Sequence, residues 1–157
     1  MARTPDPTRL VADADVLSAD LFLDGPARAA VEVVWRHSWL ELLASEELLA
    51  DARHVIAELG DDTLASGWVD CIADQCVLVD HPSQDHPALA SAYAGQAAHV
   101  LTYDPALTSP DTGIAMRKAM PISARTPEAF LSSVDVASLF QATFDEAYPG
   151  PDAPARV

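Results

Sequence analysis

The chain has 157 residues, half of them hydrophobic, and a formal net charge of −15, with nine Lys and Arg against 24 Asp and Glu. That length and apolar fraction suit one domain around one core, and no second domain is required. No run of about 18 apolar residues occurs and no apolar stretch follows the N-terminal charge, so neither a membrane span nor a signal peptide is expected, and the expected location is the cytoplasm.

Cys71 and Cys76 are five apart, which makes neither a redox CxxC pair nor half of a zinc site. They read as free thiols in or near the core. Only one of the nine cations is lysine, Lys118. Strong acidity ordinarily argues against a polyanionic partner. An acidic chain almost without lysine, with ordinary apolar content, however resembles proteins of extreme halophiles, whose molar salt shortens the Debye length to about 3 Å. The charge is therefore read as adaptation to a salty cytosol, not as information about the ligand.

In chain order, 10–12 reads as a first strand and 27–37 as a helix with Ala30, Val33, Val34 and Trp35 on its apolar face. Residues 39–44 read as a second strand. Ser45 is an N-cap for a helix through Leu59, with Leu48, Ala52, Val55 and Ile56 at helical spacing and Gly60 as the stop. Another helix opens at 61–63 and reaches about Asp74. A short buried strand over 76–79, a polar stretch over 80–85 and a helix over about 87–94 follow. Residues 99–102 read as the fourth strand and 120–123 as the fifth. Thr126 and Pro127 cap and open a last helix to about Tyr148. Residues 1–8 are expected to be an extension, 9–148 the domain and 149–157 a disordered tail. Strands alternating with helices predict a parallel α/β sheet, whose sites lie beyond the carboxyl ends of the strands.

Four acids stand where such a site would need them. Asp13 ends the first strand, Asp104 closes the fourth, and Asp85 stands at a helix start. Asp51 lies one turn from Leu48 and Val55, beside the apolar stripe. Converging carboxylates repel one another and are readily tolerated when a divalent cation neutralises them, so this set predicts a Mg²⁺ or Mn²⁺ site. Each acid also has a plainer reading. Asp85 is an N-cap, Asp104 before Pro105 a turn acid, Asp51 a helix acid, and Asp15 a turn-stabilising acid in preference to a ligand. Asp80, another strand-end acid, is the substitute for Asp85. The five histidines lack HxxxH and HExxH spacing, so zinc is not expected. Trp35, Trp39 and Trp68 read as core or interface.

The segment Val11-Ala12-Asp13-Ala14-Asp15-Val16-Leu17 resembles the first motif of PIN domains: strand, Asp, small residue, Asn or Asp, two aliphatics. Ser45-Glu46-Glu47-Leu48-Leu49-Ala50-Asp51 is similar to the second, in which an acid, more often Glu, follows Ser-x-x-Leu-Leu. Asp85-His86-Pro87-Ala88-Leu89 resembles the third, and Val100-Leu101-Thr102-Tyr103-Asp104 the fourth. Pro121-Ile122-Ser123 with Thr126-Pro127-Glu128-Ala129-Phe130 is similar to the closing strand and helix of many members. The resemblance spans residues 9–132.

It implies a Rossmann-like three-layer α/β/α sandwich with about five parallel strands, acting as a metal-dependent endoribonuclease on single-stranded or structured RNA. Asp13, Asp51, Asp85 and Asp104 would hold one or two Mg²⁺ or Mn²⁺ ions, and Thr102 would orient Asp104 or the attacking water. The implied partners are an RNA substrate, an antitoxin-like protein if the chain is the toxin of a toxin–antitoxin pair, and a second copy in a homodimer. The alternative is a catalytically weak or inactive PIN-fold module that binds RNA or acts as a scaffold. The chain departs from the pattern at Asp51, one methylene shorter than the usual Glu, and at His86 and Ala106, where many members carry acids. A haloacid-dehalogenase-like phosphatase would need an acidic pair after its lysine, and Lys118 is followed by Ala119-Met120-Pro121. A response-regulator receiver is excluded because Asp15 and Asp80 are too far apart for one β-α-β step.

Overall fold

In the computed structural model, which describes residues 4–82, 86–110 and 121–154, β1 (Asp6–Ala12), β2 (Glu41–Ala44), β3 (Val77–Leu78), β4 (Ala97–Leu101) and β5 (Ser123–Arg125) are all parallel, in the order β3-β2-β1-β4-β5. The described helices are α1 (Ala14–Phe22), α2 (Pro26–Trp35), α3 (Glu46–Leu59), α4 (Asp62–Ala73), α5 (Pro87–Gly95), α6 (Pro105–Thr108), α7 (Pro127–Ser133) and α8 (Val136–Phe144). The chain steps outward from β1 through α1 and α2 to β2, then through α3 and α4 to β3. It returns through α5 to β4, on the other side of β1. Right-handed crossovers in opposite directions put their helices on opposite faces. Consistently, α5 packs over β1, β2 and β4, whereas α1 contacts α2 and α3, and α3 contacts α4. The fold is a three-layer α/β arrangement.

The centre of the sheet is covered on both sides. Leu10, Val11, Ala12, Val100 and Leu101 are each at most 1 % exposed, which is why the carboxyl ends of β1 and β4 read as apolar runs instead of alternating ones. Trp35, Trp39 and Trp68 pack against this core as partly buried side chains. At the rim of β1, Arg9 pairs across to Glu41 of β2 at 3.2 Å.

Ser45 caps α3 through Leu48 N at 3.1 Å and Gly60 follows its last residue, as the spacing predicts. Other elements differ. β3 is two residues long and exposed, because it is the sheet edge. Among the described residues the fifth strand is Ser123–Arg125, with Ser123 paired opposite His99; residue 120, where the strand is expected to start, lies outside the described residues. The long last helix is two helices: Val134 is extended and Asp135 accepts from Ala137 N at 3.1 Å, starting α8 afresh after the weak helix formers Ser132 and Ser133. α1 and α6 were not anticipated. Residues 6–8, expected as extension, belong to β1.

The described part of the expected disordered tail, residues 149–154, is instead clasped to the loop before β2. Asp152 accepts from the backbone N–H and hydroxyl of Ser38, and the Asp152 and Ala153 N–H groups donate to the Arg36 carbonyl at 3.0 and 3.2 Å. The buried His37 ring is hydrogen-bonded to the Tyr148 hydroxyl. Of the two thiols, Cys71 is exposed, contrary to expectation, and Cys76 is partly buried, with burial pushing it up to about 12. Among the described residues no helix is long and apolar enough to cross a membrane.

Candidate acidic site at the carboxyl edge of the sheet

The order of strands reverses its direction of growth between β1 and β4, and in such sheets the splayed connections leave a crevice beyond the carboxyl ends. Asp13 leaves β1 there and Thr102 leaves β4. The Asp13 N–H donates to the Leu101 carbonyl at 2.8 Å, extending the β1–β4 ladder by one bond. Asp13 then turns the chain into α1: it is extended (φ −65°, ψ 163°) and Oδ1 accepts from Ala14 N at 2.8 Å. Its other oxygen, Oδ2, accepts from the Thr102 hydroxyl at 2.8 Å. Thr102 is 0 % exposed and its Oγ1 in turn accepts from Asp104 N at 3.0 Å. The Thr102 hydroxyl thus holds Asp104 through its backbone N–H and, in addition, the Asp13 carboxylate, which the expectation for Thr102 did not include. Asp104 Oδ1 accepts from Ala106 N at 2.9 Å and caps α6.

Asp15 also lies in this crevice. Its Oδ2 accepts from Tyr103 N at 3.0 Å, so the turn-stabilising role is present. Its Oδ1 is buried with no hydrogen-bond partner among the described residues. Burial, then the nearby Asp13 charge, push the carboxyl up to about 6, with Asp104 adding to the same direction. Asp15 therefore lies within electrostatic reach of both Asp13 and Asp104.

Asp51 is exposed, not tucked beside the apolar stripe. Its carboxyl is raised, first by partial burial and then by Glu47 and Asp13, which places Asp51 within electrostatic reach of Asp13. Glu47 was not anticipated as part of this set. The signal was available, since Glu47 precedes Asp51 by four residues and shares its helix face. Asp85 falls outside the described residues, so its place relative to the others is not described. Asp80 follows the edge strand and is exposed.

The donor set is entirely hard carboxylate and hydroxyl oxygen, which suits Mg²⁺ or Mn²⁺ and not zinc. The unpartnered, buried Asp15 Oδ1 and the raised carboxyls of Asp15 and Asp51 fit such an ion. Among the described residues no three His, Cys, Asp or Glu side chains already lie at clasping distance of one another. Residues 4–156 match one family, described as a family of unknown function (DUF7384). Neither a curated protein nor a solved structure matches the chain. With the match running over almost all of its length, the chain belongs to the family of unknown function DUF7384.

Proposed function

We propose that this protein is a PIN-like, metal-dependent endoribonuclease, with Asp13, Asp51, Asp85 and Asp104 as ligands of Mg²⁺ or Mn²⁺. The observation that carries the reading is the buried, unpartnered Asp15 Oδ1 at the reversal point of the sheet, within electrostatic reach of Asp13 and Asp104. A bound ion would supply an activated water and neutralise charge developing on a phosphodiester. The chain's own part is positional. Thr102 and the Ala14 N–H fix both oxygens of Asp13 while leaving lone pairs on each. The Tyr103 N–H holds Asp15, and α3 presents Asp51 from the adjacent strand connection. Arg125 closes β5 beside Thr102, its backbone carbonyl accepting from Thr102 N at 2.9 Å and its guanidinium donating to Ser133 Oγ at 2.6 Å.

An RNA is the partner this reading requires, an antitoxin-like protein follows if the chain acts as a toxin, and the setting is the cytoplasm. The test is cleavage of single-stranded RNA by the full chain in high salt with Mn²⁺. The parent should cut, EDTA should abolish cutting, and Asp13→Asn should be slower by on the order of a hundredfold or more. A parent that binds Mn²⁺ yet cuts no RNA at any pH replaces the nuclease with the scaffold reading.

A further inference from the structure

One strand away from Asp13, the same carboxyl edge carries a buried polar cluster that the acidic site leaves unused. Ser45 is 3 % exposed, Ser91 is 0 % exposed, and the His81 side chain is 4 % exposed. They come from three places: the end of β2, the interior of α5 and the segment leaving β3. His81 Nδ1 lies 2.7 Å from the Pro82 carbonyl, a group that can only accept, so Nδ1 carries the proton in the neutral ring. Nε2 is then an acceptor, and the Ser45 hydroxyl, 2.8 Å away, donates to it. Ser45 Oγ meanwhile accepts from Leu48 N at 3.1 Å and faces the Ser91 hydroxyl at 3.0 Å, which is also 2.7 Å from the Pro87 carbonyl. Glu47 Oε2 lies 3.8 Å from His81 Nδ1.

Capping α3 needs only the serine oxygen. A buried imidazole adds nothing to the cap and has to be desolvated. Its presence has a reason in the charges that α3 carries. Glu47 and Asp51 sit on one face of the first two turns, and Asp51 feels the charges of both Glu47 and Asp13. Like charge at Glu47 and Asp13 disfavours the ionised Asp51, so the metal-free site has to hold α3 in place against that repulsion. His81 opposes it, because it ties the first residue of the α3 connection to the segment leaving β3 and stands beside Glu47.

We propose that His81 is a positioning residue: through its bond to Ser45 it fixes the first turns of α3, and with them Glu47 and Asp51, relative to Asp13. This rests on the cation-binding reading above. The chain motif would not reveal it, since His81 is a lone histidine with no partner at metal-ligand spacing.

The test measures Mn²⁺ affinity by titration calorimetry and the metal-free melting temperature on the same full-length samples of the parent, His81→Ala and His81→Gln. In His81→Ala the Mn²⁺ Kd should rise about 10- to 100-fold, the usual effect of removing a group that orients a ligand. In His81→Gln, whose amide can still meet Ser45, the Kd should return to within about threefold of the parent, as a bond-conserving replacement of an orienting group would allow. If His81→Ala does not fold, His81→Asn, polar but too short to reach Ser45, takes its place in the comparison. A variant that melts earlier while binding Mn²⁺ as the parent does makes His81 a stability residue only and overturns the proposal. Failure of Gln to recover what Ala loses overturns the route through Ser45. A parent that binds no Mn²⁺ removes the cation reading itself and this inference with it.

Discussion

The Thr102 hydroxyl joins the two central strands of the sheet at the site: it donates to Asp13 Oδ2 at 2.8 Å and accepts from Asp104 N at 3.0 Å. A threonine here acts as a two-way connector, because a hydroxyl can do both at once and the acids around it can only accept. It lets one fully buried side chain set the spacing of Asp13 and Asp104 without adding charge.

Thr102→Val keeps the shape of the side chain and loses both bonds. The Asp104 N–H is left without its acceptor at a partly buried position, so the variant should be destabilised by about 1–3 kcal/mol. Thr102→Ser should recover most of that. Urea unfolding midpoints of the three proteins decide the matter, and a Val variant as stable as the parent would show the connector to be dispensable.

Two groups push the pH dependence of stability in opposite directions. Asp15, at about 6 in the folded chain, lies above its unfolded value of about 3.9. The folded state holds this proton more tightly, so the stability it contributes is full below about pH 4 and is lost as pH rises through 6. Asp15→Asn should therefore exceed the parent at pH 7, by on the order of 1 kcal/mol for a half-exposed carboxyl screened by solvent. It should show no such advantage at pH 4. His99 is lowered, by burial and then by Arg125, and its Nδ1 is buried without a hydrogen-bond partner among the described residues. Its contribution is present above about pH 6.5 and is lost as pH falls. His99→Leu, beside Phe130, should flatten the acid side of the stability profile. Equal pH profiles for parent and both variants would contradict both assignments.

The acidity of the whole chain makes a separate prediction. If its 15 net negative charges are tolerated through screening, the melting temperature should climb steeply between about 0.1 and 2 M KCl. A melting temperature indifferent to salt would return the charge to its ordinary meaning and weaken the case for a polyanionic substrate.

Much of the architecture was legible because burial on both faces writes continuous apolar runs, and caps such as Ser45 and Thr126 write their own boundaries. α1 was not legible because Asp13, which ends a strand, also caps the helix that follows at once; one residue serves two elements and leaves no loop to mark the join. The split between α7 and α8 was signalled only by the short run Ser132, Ser133, Val134 and Asp135 inside an otherwise helical composition. The tail clasp rests on Asp152 meeting Ser38, a pairing 114 residues apart that no local pattern encodes. At the site, strand-end acids were visible from their position alone. Glu47 and His81 were not, since their relevance depends on which connections the sheet order makes neighbours.

Asp51 offers the sharpest separation of a functional acid from a structural one. It is exposed and makes no cap, and its carboxyl is raised by burial, Glu47 and Asp13. Asp51→Asn removes one of these like charges at nearly unchanged volume. Without metal the variant should be as stable as the parent or more so, because an unpaired charge is relieved and no described hydrogen bond is broken. With Mn²⁺ the order should reverse. The parent gains stability by linkage, about 2.7 kcal/mol at a hundred times its Kd, and the variant with one ligand fewer gains much less. Thermal melts of both proteins with and without Mn²⁺ give the four values needed. If Asp51→Asn lowers the melting temperature equally in both conditions, Asp51 supports the fold and is no part of a cation site. If Mn²⁺ raises both proteins equally, the ion binds elsewhere, and the ligand set must be sought without α3.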